Sequence, residues 1–347
     1  MKQYFKTVII IISFIILCLA GIGAKAQLAD SLMKKVEDLG DYLLYRNHDT
    51  TYISNYGDEV AVKLLALNKY NYFRIRDRIN KSRIRYRPAR DLYMGIGLSY
   101  KLFAFNLTFN TGLRNKSDFE DTKSLDFQGS MFTSKHFISA TLQYYQAYKL
   151  ANISGTDVPI NPGSERREDI RTITFGLQYM YAFNYTKFSL KAPFVFNEMQ
   201  RKSAGSTILG ASFNIFIMNA DSSIVPPEVA PFFHPDLHLR DLNVLSAAVN
   251  FGYMYTFVYK KHFFLTLSLV PGININFGDY FAGLRNEINL NAHFRLNSLN
   301  AIGYNGRKFF AGLNFLSDSY FSRIKKKLTA EIGRGKIIIF AGYRFGK

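Results

Sequence analysis

The sequence predicts an all-β protein, an antiparallel up-and-down transmembrane β-barrel of about 12 strands, within a range of roughly 10 to 14, behind a short N-terminal amphipathic helix. Three observations predict it. From about residue 91 onward, stretches about as long as one barrel strand alternate apolar and polar residues and close on short Gly, Asn or Lys turns. Met1 to Ala26 has the layout of a secretory signal, with Lys2 and Lys6 before an apolar run from Val8 to Leu19. No later window is long and apolar enough for a spanning helix, and an aromatic content of 16% without Trp suits strands.

The leader comes first. Its apolar run is shorter than the roughly 20 residues of a spanning helix. Ala24 and Ala26 are the small residues a signal peptidase reads, so cleavage is expected between Ala26 and Gln27. Leu28, Leu32, Val36, Leu39 and Leu43 then recur at helical spacing, a short helix that plugs or lies against the periplasmic mouth, or else a loosely docked leader. The expected organisation is a signal peptide over 1–26, a helix and extended leader over 27–58, and a barrel over 59–347. Val60 to Leu67 and Tyr70 to Arg76 read as a first hairpin turning at Asn68 and Lys69.

The clear strands begin with Leu92, Met94, Ile96, Leu98 and Tyr100 on one face and Tyr93, Gly95, Gly97, Ser99 and Lys101 on the other. One face suits lipid and the other a lumen. Further strands are expected at 104–113, 122–132, 135–149, 170–184, 186–197, 206–217, 242–257, 261–275, 284–297, 305–316 and 336–345. The N-terminal hairpin and Arg323 to Glu331 could raise the number. Turns near 101–103, 133–134 and 185 belong on the periplasmic side, and the longer loop 152–169 on the other. The alternation breaks once, because 198–205 and the Pro-rich 218–241 both read as loops around a single strand, so a strand is missed or an end misplaced. A soluble β-sandwich is the rival fold, but sandwich strands run about five or six residues and these are about twice that.

Composition narrows the chemistry. A mature chain of 321 residues (347 minus 26) keeps a net charge of +15, since the leader removes Lys2, Lys6 and Lys25 from a total of +18. An exported chain seldom meets nucleic acid, so phosphorylated head groups of outer-membrane lipid, or small anions in a lumen, are the expected partners. The one cysteine, Cys18, lies in the leader, which leaves the mature chain no thiol for a disulfide, a thiolate metal site or a nucleophile. Leu17 before it argues against lipidation, and no cofactor is expected.

The most unusual stretch is Arg74, Arg76, Arg78, Lys81, Arg83, Arg85, Arg87 and Arg90, spaced mostly by two, with Ile84 and Tyr86 on the opposite face. An arginine at mid-membrane costs about 2 to 4 kcal/mol on the lipid face, so the stripe lines the lumen or sits at a rim. It reads as an anion-attracting constriction or a clasp for lipid phosphate, or else as charge neutralised by carboxylates on neighbouring strands. Gln200, Arg201, Lys202 and Ser203 form a second candidate cluster of inward donors, with an ordinary turn relieved by Gly205 as the plainer reading.

Catalytic signals are weak. His234 and His238 are four apart, but Pro235 and the lack of a following Glu argue against a zinc pair. Ser139 and His136 differ in parity and belong on opposite faces of one strand. Gly333-Arg334-Gly335-Lys336 lacks the rest of a phosphate loop and reads as the last hairpin turn.

Tyr86-Arg87-Pro88, Gly95-Ile96-Gly97-Leu98-Ser99-Tyr100-Lys101, Gln143 to Lys149, Lys187-Phe188-Ser189 leading into Gln200 to Ser206, and Gly252-Tyr253-Met254-Tyr255-Thr256-Phe257 follow one another in order. On these segments the chain resembles an uncharacterised bacterial outer-membrane-type β-barrel family, the numbered domain of unknown function 4421. It departs from that family at Leu150, where a Gly is usual. The resemblance implies a membrane barrel and brings no activity, substrate or site. The expected function is a non-catalytic outer-membrane barrel acting as a passive pore or as a structural or binding component of the envelope. The alternatives are a barrel enzyme acting on lipid or peptide, and a soluble periplasmic β-protein binding an acidic ligand.

Overall fold

The computed structural model describes residues 48–88, 91–100, 103–114, 122–277 and 291–346. The signal, its junction at Ala26 and Gln27, the helix expected at 28–45 and Arg90 lie outside the described residues.

Fifteen strands are present among them. They are β1 (Ile53–Asn55), β2 (Val60–Asp77), β3 (Ser82–Arg87), β4 (Asp91–Tyr100) and β5 (Phe103–Arg114). There follow β6 (Lys123–Phe132), β7 (His136–Ser154), β8 (Arg166–Ala182), β9 (Glu198–Gln200) and β10 (Ala204–Asn219). The last are β11 (Asp241–Tyr259), β12 (Phe263–Phe277), β13 (Asn291–Asn305), β14 (Phe309–Lys325) and β15 (Leu328–Phe345). A single α-helical turn, Pro162–Glu165, precedes β8, and two 3-10 turns, Pro227–Phe232 and Pro235–Leu237, lie between β10 and β11.

All ladders are antiparallel, and β15 pairs back onto β2 along its whole length, which closes a ring of ten strands: β2, β3, β7, β8 and β10 to β15. The remaining three strands of the large sheet widen one half of the wall. β3 pairs with Phe73–Asp77 of β2 and with the end of β7, whereas β4 continues down β2 along Ala61–Asn68 and turns back into β5. β6 covers the other half of β7. Closure removes sheet edges, and this lets a wall be apolar on both ends of its inner surface and on its outer surface without exposing backbone to lipid.

The predicted alternation holds on the wall. Met94, Ile96, Leu98, Leu177 and Tyr179 are exposed on the outer face, while Gly97, Ser99, Thr172, Thr174 and Gln178 are buried inside. Four expectations are corrected. There is no hairpin at Asn68 and Lys69, because β2 runs unbroken through them, paired to β15. Gly333 to Lys336 lies in mid-strand, and the last turn is at Lys326 and Lys327 instead. Glycine is needed there because the rings of Tyr72 and Tyr70 lie flat over Gly333 and Gly335, where a Cβ would come within 2.2 and 2.4 Å of them. The strand expected at 284–297 continues to Asn305, so its end was placed too early, and the first part of that range, 284–290, lies outside the described residues.

Residues 186–197 are not a strand. They fold as turns into the barrel mouth, because Phe188, Leu190, Phe194, Val195 and Phe196 bury themselves against inward Phe137, Ile208, Met254, Phe264, Phe310 and Phe340. This accounts for the break in alternation: β8 and β10 are neighbours in the wall, and 183–203 is one long inserted connection.

Candidate functional site

The two ends of the barrel differ. One carries the short turns at 133–135, 260–262 and 306–308, and both ends of the described chain; the other carries 78–81, 155–165 and 220–240. Each is filled by apolar side chains of an inserted segment.

At the turn end the plug 184–203 is pinned to the wall and to the residues before β2. β1 pairs with β9 in a separate two-stranded sheet, Ile53 opposite Gln200 and Asn55 opposite Glu198. Gln200 is buried and spends its amide on the plug itself, accepting from the Ser189 N–H at 2.9 Å and donating to the Lys187 and Lys202 carbonyls at 2.6 and 3.0 Å. Arg201, Lys202 and Ser203 are exposed instead. Arg201 donates to the Thr50 carbonyl, Lys202 lies over the Tyr52 ring, and Ser203 accepts from the Val258 N–H. The inward quartet is therefore one inward glutamine and three outward residues, since the turn after β9 swings the chain out of the lumen.

The buried centre of the plug is Glu198. Its carboxylate accepts from Ser189 Oγ at 2.6 Å, lies 3.4 Å from Lys191 Nζ and 3.2 Å from His48 Nε2. Burial by itself would raise its pKa, but the Lys191 ammonium and the His48 and Ser189 hydrogen bonds outweigh burial and hold it down to about 2. Ser134 Oγ lies 3.4 Å from the same His48 Nε2.

At the loop end, Ile224, Val225, Val229, Phe233 and Leu237 pack under Phe73, Ile75, Ile84, Tyr86, Phe216 and Tyr320 of the wall. Polar ties fix this cap. Tyr86 Oη donates to the Ile224 carbonyl at 2.6 Å, Ser82 Oγ to the Phe232 carbonyl at 2.8 Å, and the His234 N–H to Asp77 at 2.8 Å. Arg167 grips Asp169 through Nε and NH2 and donates to the Ser222 and Ser223 carbonyls.

Between the two apolar layers lies a polar belt. Arg334 reaches across the lumen from β15 to donate to Asn214 on β10 at 2.7 Å and to Asp318 on β14 at 2.9 Å, and Arg295 meets the same Asp318 oxygen at 2.8 Å. The guanidinium of Arg334 occupies the space that a side chain at Gly176 would need. The cavity left beside it holds about 60 Å³ and is lined by Ser139, Thr141, Gln178, Asn297, Asp318 and Lys336, among others.

The basic stripe is at the rim and on the outer surface. Parity decides it: Phe73, Ile75, Ile84 and Tyr86 turn inward to meet the cap, so Arg74, Arg76, Arg83, Arg85 and Arg87 turn outward, with Arg78 and Lys81 in the connecting turn. The reading as a constriction inside the lumen is thereby corrected. Glu331 accepts from Tyr72 Oη at 2.8 Å, Arg74 at 2.8 Å and Arg76 at 2.7 Å, so carboxylate neutralisation holds for part of the stripe.

Ser139 and His136 point to opposite sides, the first to Gln178 inside and the second to Tyr179 outside. Among the described residues no three His, Cys, Asp or Glu side chains converge in a way that could hold a metal. The Glu198 cluster escaped sequence reasoning because its members are spread over 48, 134, 189, 191 and 198. The one available signal was the break in alternation at 198–205.

Three solved structures show the kind of fold to which the chain is similar. The outer membrane protease OmpT of Escherichia coli is 10% identical with a TM-score of 0.34, over 84% of this chain and 98% of that one. The Pseudomonas putida toluene transporter TodX is 8% identical with a TM-score of 0.25, over 87% and 95%. OccK7 (OpdD) of Pseudomonas aeruginosa is 10% identical with a TM-score of 0.24, over 83% and 100%. No curated protein matches the chain. The family described as "Domain of unknown function (DUF4421)" matches residues 47–345, and the chain belongs to it.

Proposed function

We propose that this protein is a closed, non-catalytic barrel of the outer membrane, exported through a cleaved signal and serving as a structural or binding component of the envelope. What places it in a membrane on this reading is the apolar exterior, where Leu64, Ile96, Leu98, Val249, Phe251, Ile273 and Ile339 are all more than half exposed. Short turns then face the periplasm and long loops the outside. The observation that carries the choice against a passive pore is that each mouth is filled by its own apolar insert, with Arg334 bridging the lumen between them. Planar-bilayer recording of the purified full chain tests it. Silence from folded protein is expected, and a steady wild-type conductance would restore the pore.

One observation bears on the barrel-enzyme alternative, the approach of Ser134, His48 and Glu198. In a triad the nucleophile and the acid use different ring nitrogens, whereas here both meet Nε2 and all three groups are buried. Hydrolysis of an ester or peptide probe that is lost in Ser134→Ala but kept in Ser139→Ala would favour the enzyme. Release of the protein without detergent would favour the soluble alternative.

A further inference from the structure

We infer that the polar belt of the lumen holds one small inorganic anion, chloride in charge and size, between Arg334 of β15 and Gln178 of β8. The inference needs the closed barrel and no particular compartment, so it goes beyond the function proposed above.

The donors converge from two walls. Side chains alternate along a strand, so Arg334 and Lys336 share the inner face of β15, and Gly176 and Gln178 share that of β8. Arg334 and Gln178 are each only 8% exposed, and with Lys336 they line the belt cavity. Arg334 commits Nη2 to Asn214 and Asp318, which leaves Nη1 over the bare backbone of Gly176 with no acceptor among the described residues. Gln178 accepts from Ser139 through Oε1 at 3.4 Å, and its Nε2 has no acceptor there either. A buried donor without an acceptor is costly, and a charged donor more so. Two such donors on one cavity describe a site for an acceptor.

Charge decides between an anion and water. Asp318 is the one carboxylate among the described lining residues, and Arg295 and Arg334 both meet its Oδ2. Arg295 is fully buried and keeps Nε and Nη1 without acceptors. Asp126, whose charge also reaches Lys336, is paired with Lys69 at 3.3 Å. Arg295, Arg334 and Lys336 are thus three cations set against Asp318 between two apolar layers. Water alone completes the hydrogen bonds but leaves the excess charge in surroundings that screen it poorly. One monovalent anion does both. A cavity of about 60 Å³ has room for such an ion and a water or two, since a water-sized sphere needs about 10 to 15 Å³. That water serves Asp318 Oδ1 and Asn297 Oδ1, the acceptors on the same cavity that have no donor among the described residues.

The test unfolds and refolds the full chain in detergent micelles with urea over a chloride series, with gluconate holding the ionic strength constant so that screening does not change. An ion bound only by the folded state acts by mass action. Beyond half-saturation, a tenfold rise in chloride should therefore raise the ratio of folded to unfolded protein by about tenfold. Lys336→Gln should flatten this dependence and Arg334→Gln should abolish it, while Lys308→Gln, on an exposed turn, should leave it unchanged. Asp318→Asn works in the opposite direction. It removes the opposing charge and should move half-saturation to lower chloride, so the idea is testable even where Arg334→Gln does not fold. Crystals grown in bromide should show anomalous scattering within hydrogen-bond reach of Arg334 Nη1 and Gln178 Nε2. Unfolding that ignores chloride, a chloride dependence that survives both Arg334→Gln and Lys336→Gln, or a belt cavity that holds water and no bromide would overturn the inference.

Discussion

Arg344 Nε donates to the carbonyl of Phe196 at 2.6 Å, which ties the last strand of the wall to the innermost ring of the plug. The same guanidinium also donates to the Gly306 carbonyl and to Asn305 Oδ1. Asn305 in turn donates to the plug carbonyls of Ala192 and Glu198. Phe196 holds a φ of 66°, in the left-handed region, stacked on Phe310 at 4.8 Å. A bulky residue is held there by what surrounds it.

Arg344→Met keeps the bulk and removes the donors. Hydrogen bonds from a charged group are worth about 1.5 to 3 kcal/mol each, so the plug should loosen well before the wall. Limited proteolysis is expected to cut within 184–203 in the variant and not in the wild type, with the β signal of the circular dichroism spectrum kept. Equal resistance of the two would show that the apolar contacts alone hold the plug.

Glu198 predicts a pH dependence for the same segment. Its folded pKa of about 2 lies below its ordinary value of 4.5, so the folded plug favours the ionised carboxylate. The stabilisation is complete above about pH 4.5 and is lost as pH falls from there through about 2. Protease access to 184–203 should therefore rise over that window, and Glu198→Gln should show a loosened plug at neutral pH with the acid step flattened.

Asp318 is shared by two buried arginines, so Asp318→Asn leaves both charges without their carboxylate. Breaking a buried pair in this way costs about 3 to 5 kcal/mol. Gly176→Val acts on the same network through space, because its Cβ would sit 2.6 Å from Arg334. Overpacking of this kind costs about 1 to 3 kcal/mol. Urea unfolding in micelles should place both variants below wild type, with Asp318→Asn the lower.

The orientation of β4 predicts different labelling of adjacent residues. Leu98 is 51% exposed and Ser99 only 2%. Leu98→Cys in a bilayer should react with a membrane-soluble maleimide and not with a water-soluble one, while Ser99→Cys should resist the membrane-soluble reagent. Rapid water-phase labelling of Leu98→Cys would mean that this face meets solvent.

Much of the wall was legible in the sequence. Period-two alternation fixes which residues share a face, and the runs around Leu92 to Tyr100 and Arg171 to Ala182 fold as β4 and β8 with their apolar sides exposed. The alternation fails where the backbone departs from it, as at Ala147, whose positive φ makes a bulge that turns both Tyr145 and Tyr148 inward. It also fails at 186–197, where an apolar segment packs inside a barrel instead of joining its wall.

The sequence by itself determined that Arg74, Arg76, Arg83, Arg85 and Arg87 share one face and that Ile84 and Tyr86 share the other, because side chains alternate strictly along a strand. Tertiary structure alone decided which face is outside. Near a barrel rim neither side is committed to lipid, so the choice fell to a cap more than a hundred residues away, whose Ile224, Val225 and Phe233 offer the inner face apolar contacts that an arginine could not use. The plug was decided in the same way. Glu198 is surrounded by His48, Ser134, Ser189 and Lys191 only once closure of β15 on β2 has made an interior for them to share.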